Sequence, residues 1–541
     1  MSFEGGLEYD FQFDPSGDEE DEGRPPRAGT GLYVRFVLAG VLICCLTSGA
    51  VATAGLLKAK DIAQKLVPPG HAVQIDEKVI TQAKPGKPQT ILLVGSDKRF
   101  RAGKDDARSD TMMLVRLDPR QKATAVMSIP RDLITEIPGE GFQKINGAYS
   151  LGGLELTLKT VRQLLSGGTG GVPRKTFEIN HAVGVNFSGF RKVVNFVGCV
   201  YTDVDRRYYH SNVGLPPSAH YAEIDIQPGY QKLCGQRALD YVRFRHLDND
   251  IVRAARQQDF LRSAKSQIGS SHLLKNYDPL VEIIGQSTEA DAGLGSTKGF
   301  LSIAKLAVAS AGHPVREIKF PATFVDGADG SYVSATPQEI ADAVHDFLHA
   351  KPPPKEPVRK ARAKGKEGRK RAAKPPKLDP AADYRRYGLR LDSSLGQDVV
   401  APIEARGLLS FRMYYPKALT PRGRYATAAD KAPMPRVYTI RDRADKPHLA
   451  YRIVVVENPI EGQYYGIQGT SWKNPPILDS AFTKLRMRGR TFELHYDGRR
   501  IRTIAWRSSK AVYWVSNTLS LKLSNIQMRG LARSLTRIGE R

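Results

Sequence analysis

ALDYVRFRHLDNDIVRAARQQ, residues 238–258, is the stretch from which the rest of the chain is read. Its pattern predicts a short helical run, an extended YVRFR, a turn through HLDND, and a new helix capped by Asp250. In an extended segment Arg243 and Arg245 sit two apart and point to one face. On the following helix Arg253, Arg256 and Gln257 share a face at i, i+3 and i+4. The guanidiniums and the amide converge on one place. Arginine forks match phosphate oxygens in a bidentate way, so the indicated guest is a multiply charged phosphate. A solvated basic face is the competing reading of such a run, and the choice between them rests on the rest of the chain.

The chain has 541 residues, which points to two folded domains with additional segments. Its formal charge of +25 calls for an anionic partner: nucleic acid, a membrane surface, or a polyanionic polymer such as a cell wall. Residues 1–34 are acidic, with DEEDEG at 18–23 and no periodicity, and read as a disordered tail. From Phe36 to Leu57 there is no charge, so 35–57 reads as a single membrane span. Arg24, Arg27 and Arg35 before it nearly balance Lys58, Lys60 and Lys65 after it. A short acidic tail on the cytoplasmic side, with the main domains outside, is the usual arrangement. Cys199 and Cys234 are the only cysteines beyond this apolar segment. They read as two buried thiols or, outside the cytoplasm, as a disulfide.

Residues 58–88 form a stem broken by Pro68-Pro69-Gly70 and Lys84-Pro85-Gly86. A first domain follows over 89–350. TILLVGS (90–96), TMMLVRL (111–117), ATAVMSI (123–129), FEI (177–179) and CVYTDV (199–204) predict strands. Segments 147–165, 186–197, 254–268, 279–286, 298–311 and 337–349 predict helices, and the alternation indicates an α/β fold. Residues 351–379 are basic and proline-bracketed, a linker that adheres to an anionic polymer rather than a fold. A nucleic-acid role would require this linker in the cytoplasm, so no nucleic-acid partner is expected. In 380–541, YTIRD, LAYRIVVVE, YYGIQGT, FELHYDG, RIRTIAW and AVYWVSNT alternate apolar and polar residues. They predict a strand-rich α+β domain with an antiparallel sheet exposed on one side and a terminal amphipathic helix. Tyr464, Tyr465 and Trp472 read as core, with stacking on a sugar as the alternative.

Candidate ligand groups sit at the edges of the first-domain strands. Asp97 and Arg99 follow the first strand, and Arg108 and Asp110 precede the second. Arg131 and Asp132 end the third, and Lys144 precedes a helix. Asp97 and Asp110 flank one loop, and two such carboxylates completed by phosphate oxygens and water make a Mg²⁺ site. Taken singly, Asp97 reads rather as a turn residue and Asp110 as a cap or ion-pair partner.

Taken together, GSDKR, RSDTMMLVRLDP, SIPRDL, KINGAY, NFSGFRKVVNFVGCV, GQRALDYVRFR and DIVRAARQQ occur in an order and spacing that resembles the LytR-CpsA-Psr family of bacterial cell-wall enzymes. The resemblance covers roughly 88–270 and continues more weakly to about 350. It implies an α/β domain with a central mixed sheet flanked by helices and a hydrophobic tunnel for a lipid, held outside the membrane by one span. It implies transfer of a glycopolymer from a polyprenyl-pyrophosphate carrier to peptidoglycan through a phosphodiester bond, with Mg²⁺ as cofactor. On this sequence Asp97 and Asp110 match the metal ligands. Arg99, Arg108, Arg131, Arg243, Arg245, Arg253 and Gln257 match the pyrophosphate shell, with Lys144 and Arg256 beside them. Arg108 and Arg131 are expected to act in the chemistry, and Asp132 is the candidate general base.

Where many members carry GGV, this chain has Gly198-Cys199-Val200, and Cys234 precedes the arginine helix, so a Cys199–Cys234 disulfide is expected. Two other functions are open: a polyprenyl-pyrophosphate hydrolase, which the same arginines would serve with water as acceptor, and a non-enzymatic, membrane-tethered wall-binding protein using the basic linker and second domain. The sequence names neither the polymer nor the oligomeric state.

Overall fold

The strand β2 (Gln89–Ser96) runs down the middle of a seven-stranded sheet because its apolar run can be buried on both sides. The structure is a computed structural model that describes residues 56–96, 109–167, 176–216, 220, 222–244, 250–267, 277–310, 312–327, 330–352, 380–430, 435–480 and 482–540. Numbering β1 (Ala72–Val73), β3 (Ser109–Asp118), β4 (Ala123–Ile129), β5 (His181–Asn186), β6 (Thr288–Asp291) and β7 (Val315–Ile318), the sheet order is β1-β6-β5-β2-β3-β4-β7. It is mixed: β2 pairs β5 in parallel and β3 antiparallel, and β4 pairs β7 in parallel. One face packs on α1 (Gly147–Ser166) and a helix at Pro337–Leu348, through Leu92, Val94, Leu114 and Met127 against Leu158, Val161 and Phe347. Residues 59–73, read from sequence as part of a stem, contribute the edge strand β1 and the buried side chains Ala59, Ala63 and Val67.

A second core gathers Val200, Tyr208, Leu233, Tyr241, Phe244 and Phe260. It joins α2 (Phe187–Phe196), α3 (Gly235–Arg243), α4 (Asp250–Gln267) and a hairpin of Val200–Val204 with Gly229–Leu233. Asn186 caps α2, its Oδ1 accepting the Gly189 N–H at 2.7 Å. Two expectations are corrected here. FEI at 177–179 is not a strand: its apolar side chains are buried, but its backbone bonds the loop at Thr81 rather than a ladder, and the strand begins at His181. YVR is not extended either; α3 runs through Arg243, because Ala238, Leu239 and Tyr241 fill the core at helical spacing.

The C-terminal half is built on an eight-stranded antiparallel sheet. Its strands are β8 (Arg424–Tyr425), β9 (Arg436–Arg441), β10 (Pro447–Asn458), β11 (Gln463–Thr470), β12 (Phe482–Met487), β13 (Arg490–Asp497), β14 (Arg500–Arg507) and β15 (Val512–Ser516). One face packs on α5 (Asn525–Ser534), closed by a capping box from Ser524 and Gln527. The other face is not solvated, contrary to expectation: residues 450–456 of β10 are all buried. The 200–233 hairpin covers it, with Tyr201 and Tyr230 packed among Ile440, Ala450, Trp472 and Trp514. Trp472 and Tyr465 are therefore core residues. At the same contact, Asp203 accepts Arg452 Nη1 at 3.0 Å and Trp514 Nε1 at 3.2 Å. Ala59–Arg541 thus form one compact unit containing both sheets.

The expected span at 35–57 lies almost wholly outside the described residues, as does the linker from 353. Among the described residues no helix is long and apolar enough to cross a membrane.

Candidate active site

The strand directions decide where ligand groups collect. Ser96 at the end of β2 lies opposite Ser109 at the start of β3 and opposite Asn186 at the end of β5. Met112 of β3 pairs Ile129 at the end of β4. One edge of the sheet therefore receives the end of β2 at Ser96, the backbone of Asp110, the Pro130–Asp132 turn and the N-terminus of α2. The ladder slips between Gly95 and Ser96: Gly95 pairs Thr111 and Ser96 pairs Ser109, leaving Asp110 as the extra residue of a bulge. Bulges re-aim side chains next to active sites.

Two helices close over this edge. Gln257 of α4 donates from Nε2 to Thr111 Oγ1 at 2.8 Å and to the Val242 carbonyl of α3 at 3.1 Å. One residue on, Gln258 Nε2 donates to Ser128 Oγ at 3.0 Å, tying α4 to β4 just before Arg131. Arg243, last residue of α3, stands over the Phe187 ring at 4.9 Å. Arg253 is buried on the face of α4 that carries Gln257. Arg131, Arg243, Arg253 and Gln257 are thus carried by elements that meet at this edge. Arg256 is directed inward: it is fully buried with its guanidinium 4.7 Å from Tyr208 and 5.7 Å from Tyr241, and donates to the Phe244 carbonyl. That environment makes it an internal prop of the α3–α4 junction rather than a group open to a phosphate.

Asp132 stands between two cations, with Arg131 Nε at 3.8 Å and Lys144 Nζ at 3.7 Å. A carboxylate with a cation on each oxygen orients its neighbours. Asp97, Arg99, Arg108 and Arg245 lie outside the described residues, as does the Asp110 side chain. Among the described residues no group of three or more His, Cys, Asp or Glu side chains could hold a metal ion. The Cys199–Cys234 disulfide is present, with Cα atoms 4.7 Å apart, and joins the end of α2 to the start of α3. Cys199 has φ +67°, a conformation glycine adopts without steric cost.

Sequence reasoning missed a buried polar chain beneath the site. Ser96 Oγ donates to the Tyr149 hydroxyl at 3.2 Å, which donates to Glu289 Oε1 at 2.6 Å. Glu289 reaches it across Gly184, where a Cβ would come within 2.8 Å of its Cγ. Tyr149 belongs to the KINGAY motif, which was a usable signal; Glu289 in an ordinary short strand carried none.

The chain is similar in sequence to several known proteins. The polyisoprenyl-teichoic acid–peptidoglycan teichoic acid transferase TagT of Bacillus subtilis (strain 168) is 28% identical over 285 residues, 52% of this chain and 84% of that protein. The transferase TagU of Bacillus mycoides (strain KBAB4) is 32% identical over 208 residues, 38% of this chain and 60% of that one. Among solved structures, TagT bound to LIIa-WTA gives a TM-score of 0.39 at 25% identity, covering 51% of this chain and 98% of that chain. The family model named LytR_cpsA_psr matches residues 55–349, more than half of the 541. The chain belongs to the LytR_cpsA_psr family.

Proposed function

We propose that this protein transfers a glycopolymer from a polyprenyl-pyrophosphate carrier to peptidoglycan, forming a phosphodiester link. One observation carries the reading: elements bearing Arg131, Arg243, Arg253 and Gln257 meet at the sheet edge where β2 ends at Ser96 and β3 bulges at Asp110. The names of the relatives TagT and TagU support it, since both are teichoic acid–peptidoglycan transferases.

The donor is already activated, so the protein's work is neutralisation and alignment. An acceptor hydroxyl oxygen attacks the phosphorus that bears the sugar, the bond from that phosphorus to the bridging oxygen breaks, and polyprenyl phosphate leaves, its phosphate oxygens taking up the hydroxyl proton. Arginines preorganised at the edge, joined in this reading by Arg99, Arg108 and Arg245, hold the two phosphates and stabilise charge developing on the bridge. Asp97 and Asp110 are hard carboxylates of the kind suited to Mg²⁺, which when bound would neutralise phosphate oxygens. Asp132 fixes Arg131 and Lys144 rather than taking the hydroxyl proton. The Cys199–Cys234 bond supports an oxidising location, hence a cytoplasmic tail at 1–34, a span at 35–57 and both folded halves outside.

The test is product analysis with the full chain in detergent, supplied with a polyprenyl-pyrophosphate oligosaccharide, peptidoglycan fragments and Mg²⁺. Mass spectrometry is expected to find a sugar–phosphate adduct on the acceptor, lost with EDTA. Free sugar phosphate without adduct would replace transfer by hydrolysis.

A further inference from the structure

The helix α4 has two working faces. Arg253, Arg256, Gln257 and Phe260 form one stripe, directed at the site and the core beneath it. Val252, Ala255, Asp259 and Arg262, spaced i, i+3, i+7 and i+10, form a second stripe well round the helix from the first. This second stripe is covered by the C-terminal half. Val252 and Ala255 pack on Leu519 as a separate apolar cluster. Asp259 accepts Arg502 Nη1 and Arg262 Nη1, both at 2.9 Å. Arg262 Nη2 meets Asp497 at 3.0 Å and also Glu317, and Arg502 Nη2 meets Asp497 at 2.6 Å and Glu317 at 3.3 Å.

The covering segment is stiff. Asn517 donates to the carbonyls of Ile501 and Leu523 at 2.8 and 3.0 Å, and its own oxygen accepts the N–H groups of Thr518 and Leu523. Leu521 closes the turn at φ +54°. Leu519 is thus presented on a loop held at both ends, and Lys319 beside it donates to the Ser520 carbonyl.

We propose that the C-terminal half is a positioning part of the donor site: Leu519, Arg502 and Asp497 set the position of α4 and thereby aim Arg253 and Gln257 at the pyrophosphate. This rests on the functional reading above. The C-terminal half is then required for transfer even though it supplies no group to the reacting atoms. Its action is through a rigid helix pinned on two sides, a route by which residues remote from a ligand change its affinity.

The experiment compares five full-length chains in detergent, with donor and acceptor KM and kcat measured separately: wild type, Leu519→Ala, Leu519→Met, Arg502→Lys and Met528→Ala. Met528 is fully buried in the core of the C-terminal half, away from α4, and serves as a control for lost stability. Leu519→Ala and Arg502→Lys are expected to raise the donor KM by roughly 10-fold with the acceptor KM unchanged. Leu519→Met is expected to restore it, and Met528→Ala to leave it unchanged at comparable loss of thermal stability. Equal donor KM in all variants, or the same rise in Met528→Ala, overturns the inference while wild-type transfer leaves the functional reading intact. A wild-type chain that neither binds nor transfers the donor overturns both.

Discussion

Glu317 lies in the middle of the ionic cluster between the two halves, and its titration is open to direct test. Burial pushes its carboxyl up to about 7 from an ordinary 4.5; Arg262 and Arg502 oppose the rise, and Asp497 and Asp259 add to it. A carboxyl whose folded pKa is raised favours the folded state in its protonated form. Its contribution is full below 4.5 and is lost as pH rises through about 7. At ~1.36 kcal/mol per pH unit the gap comes to on the order of 3 kcal/mol, most of it falling between pH 5 and 8. Asp497 does not interfere: burial works against its ionisation, but Arg262 and Arg502 outweigh that and hold it at about 2, ionised throughout this range. Glu317→Gln mimics the protonated acid. The two chains should therefore match near pH 5, with the variant the more stable by roughly 2–3 kcal/mol at pH 8. The assay is urea unfolding followed by tryptophan emission, since the three tryptophans, Trp472, Trp506 and Trp514, are all buried in the C-terminal half. A stability difference that stays flat from pH 5 to 8, or that favours the wild type at high pH, refutes the reasoning.

Other outcomes follow from the same geometry. Replacing Cys199 by Gly and Cys234 by Ala opens a loop whose ends are 35 residues apart. Loop entropy predicts a loss of roughly 3–4 kcal/mol, less ~1 kcal/mol recovered at the positive φ of Cys199, read by urea midpoint under non-reducing conditions. Arg253→Ala should cut donor kcat/KM by about 100-fold at near-normal stability. Arg256→Ala should do the reverse, lowering stability by roughly 3 kcal/mol as its aromatic surroundings lose their cation; thermal unfolding beside steady-state kinetics separates them. Asp132→Asn should keep kcat within about 10-fold of wild type, whereas removal of a general base costs ~10²–10⁴.

The first half was legible because its strands are apolar runs and its helices carry regular stripes. The arginine segment misled in one respect: RFR alternates like a strand, yet Tyr241 and Phe244 both belong to the core and draw the helix on to Arg243. In the second half the strands were legible but their environment was not. Alternation marks a polar face, which in sequence reads as wet. Arg452, Gln468 and Thr503 on β10, β11 and β14 are nonetheless buried, and Arg452 meets Asp203 across the contact between the halves. A polar side chain looks the same in sequence whether water or a distant aspartate satisfies it. The same limit hid Arg502 and Asp497, and with them the grip on α4.

The most direct test of the account places a phosphorus label on the sugar-bearing phosphate of a polyprenyl-pyrophosphate oligosaccharide, with peptidoglycan fragments as acceptor. In a single turnover the label is expected to move to the peptidoglycan fragment in a phosphodiester, and the paired change Arg253→Ala/Gln257→Ala is expected to stop it. Label left on the lipid, or released as free sugar phosphate at the wild-type rate by the paired variant, would contradict it.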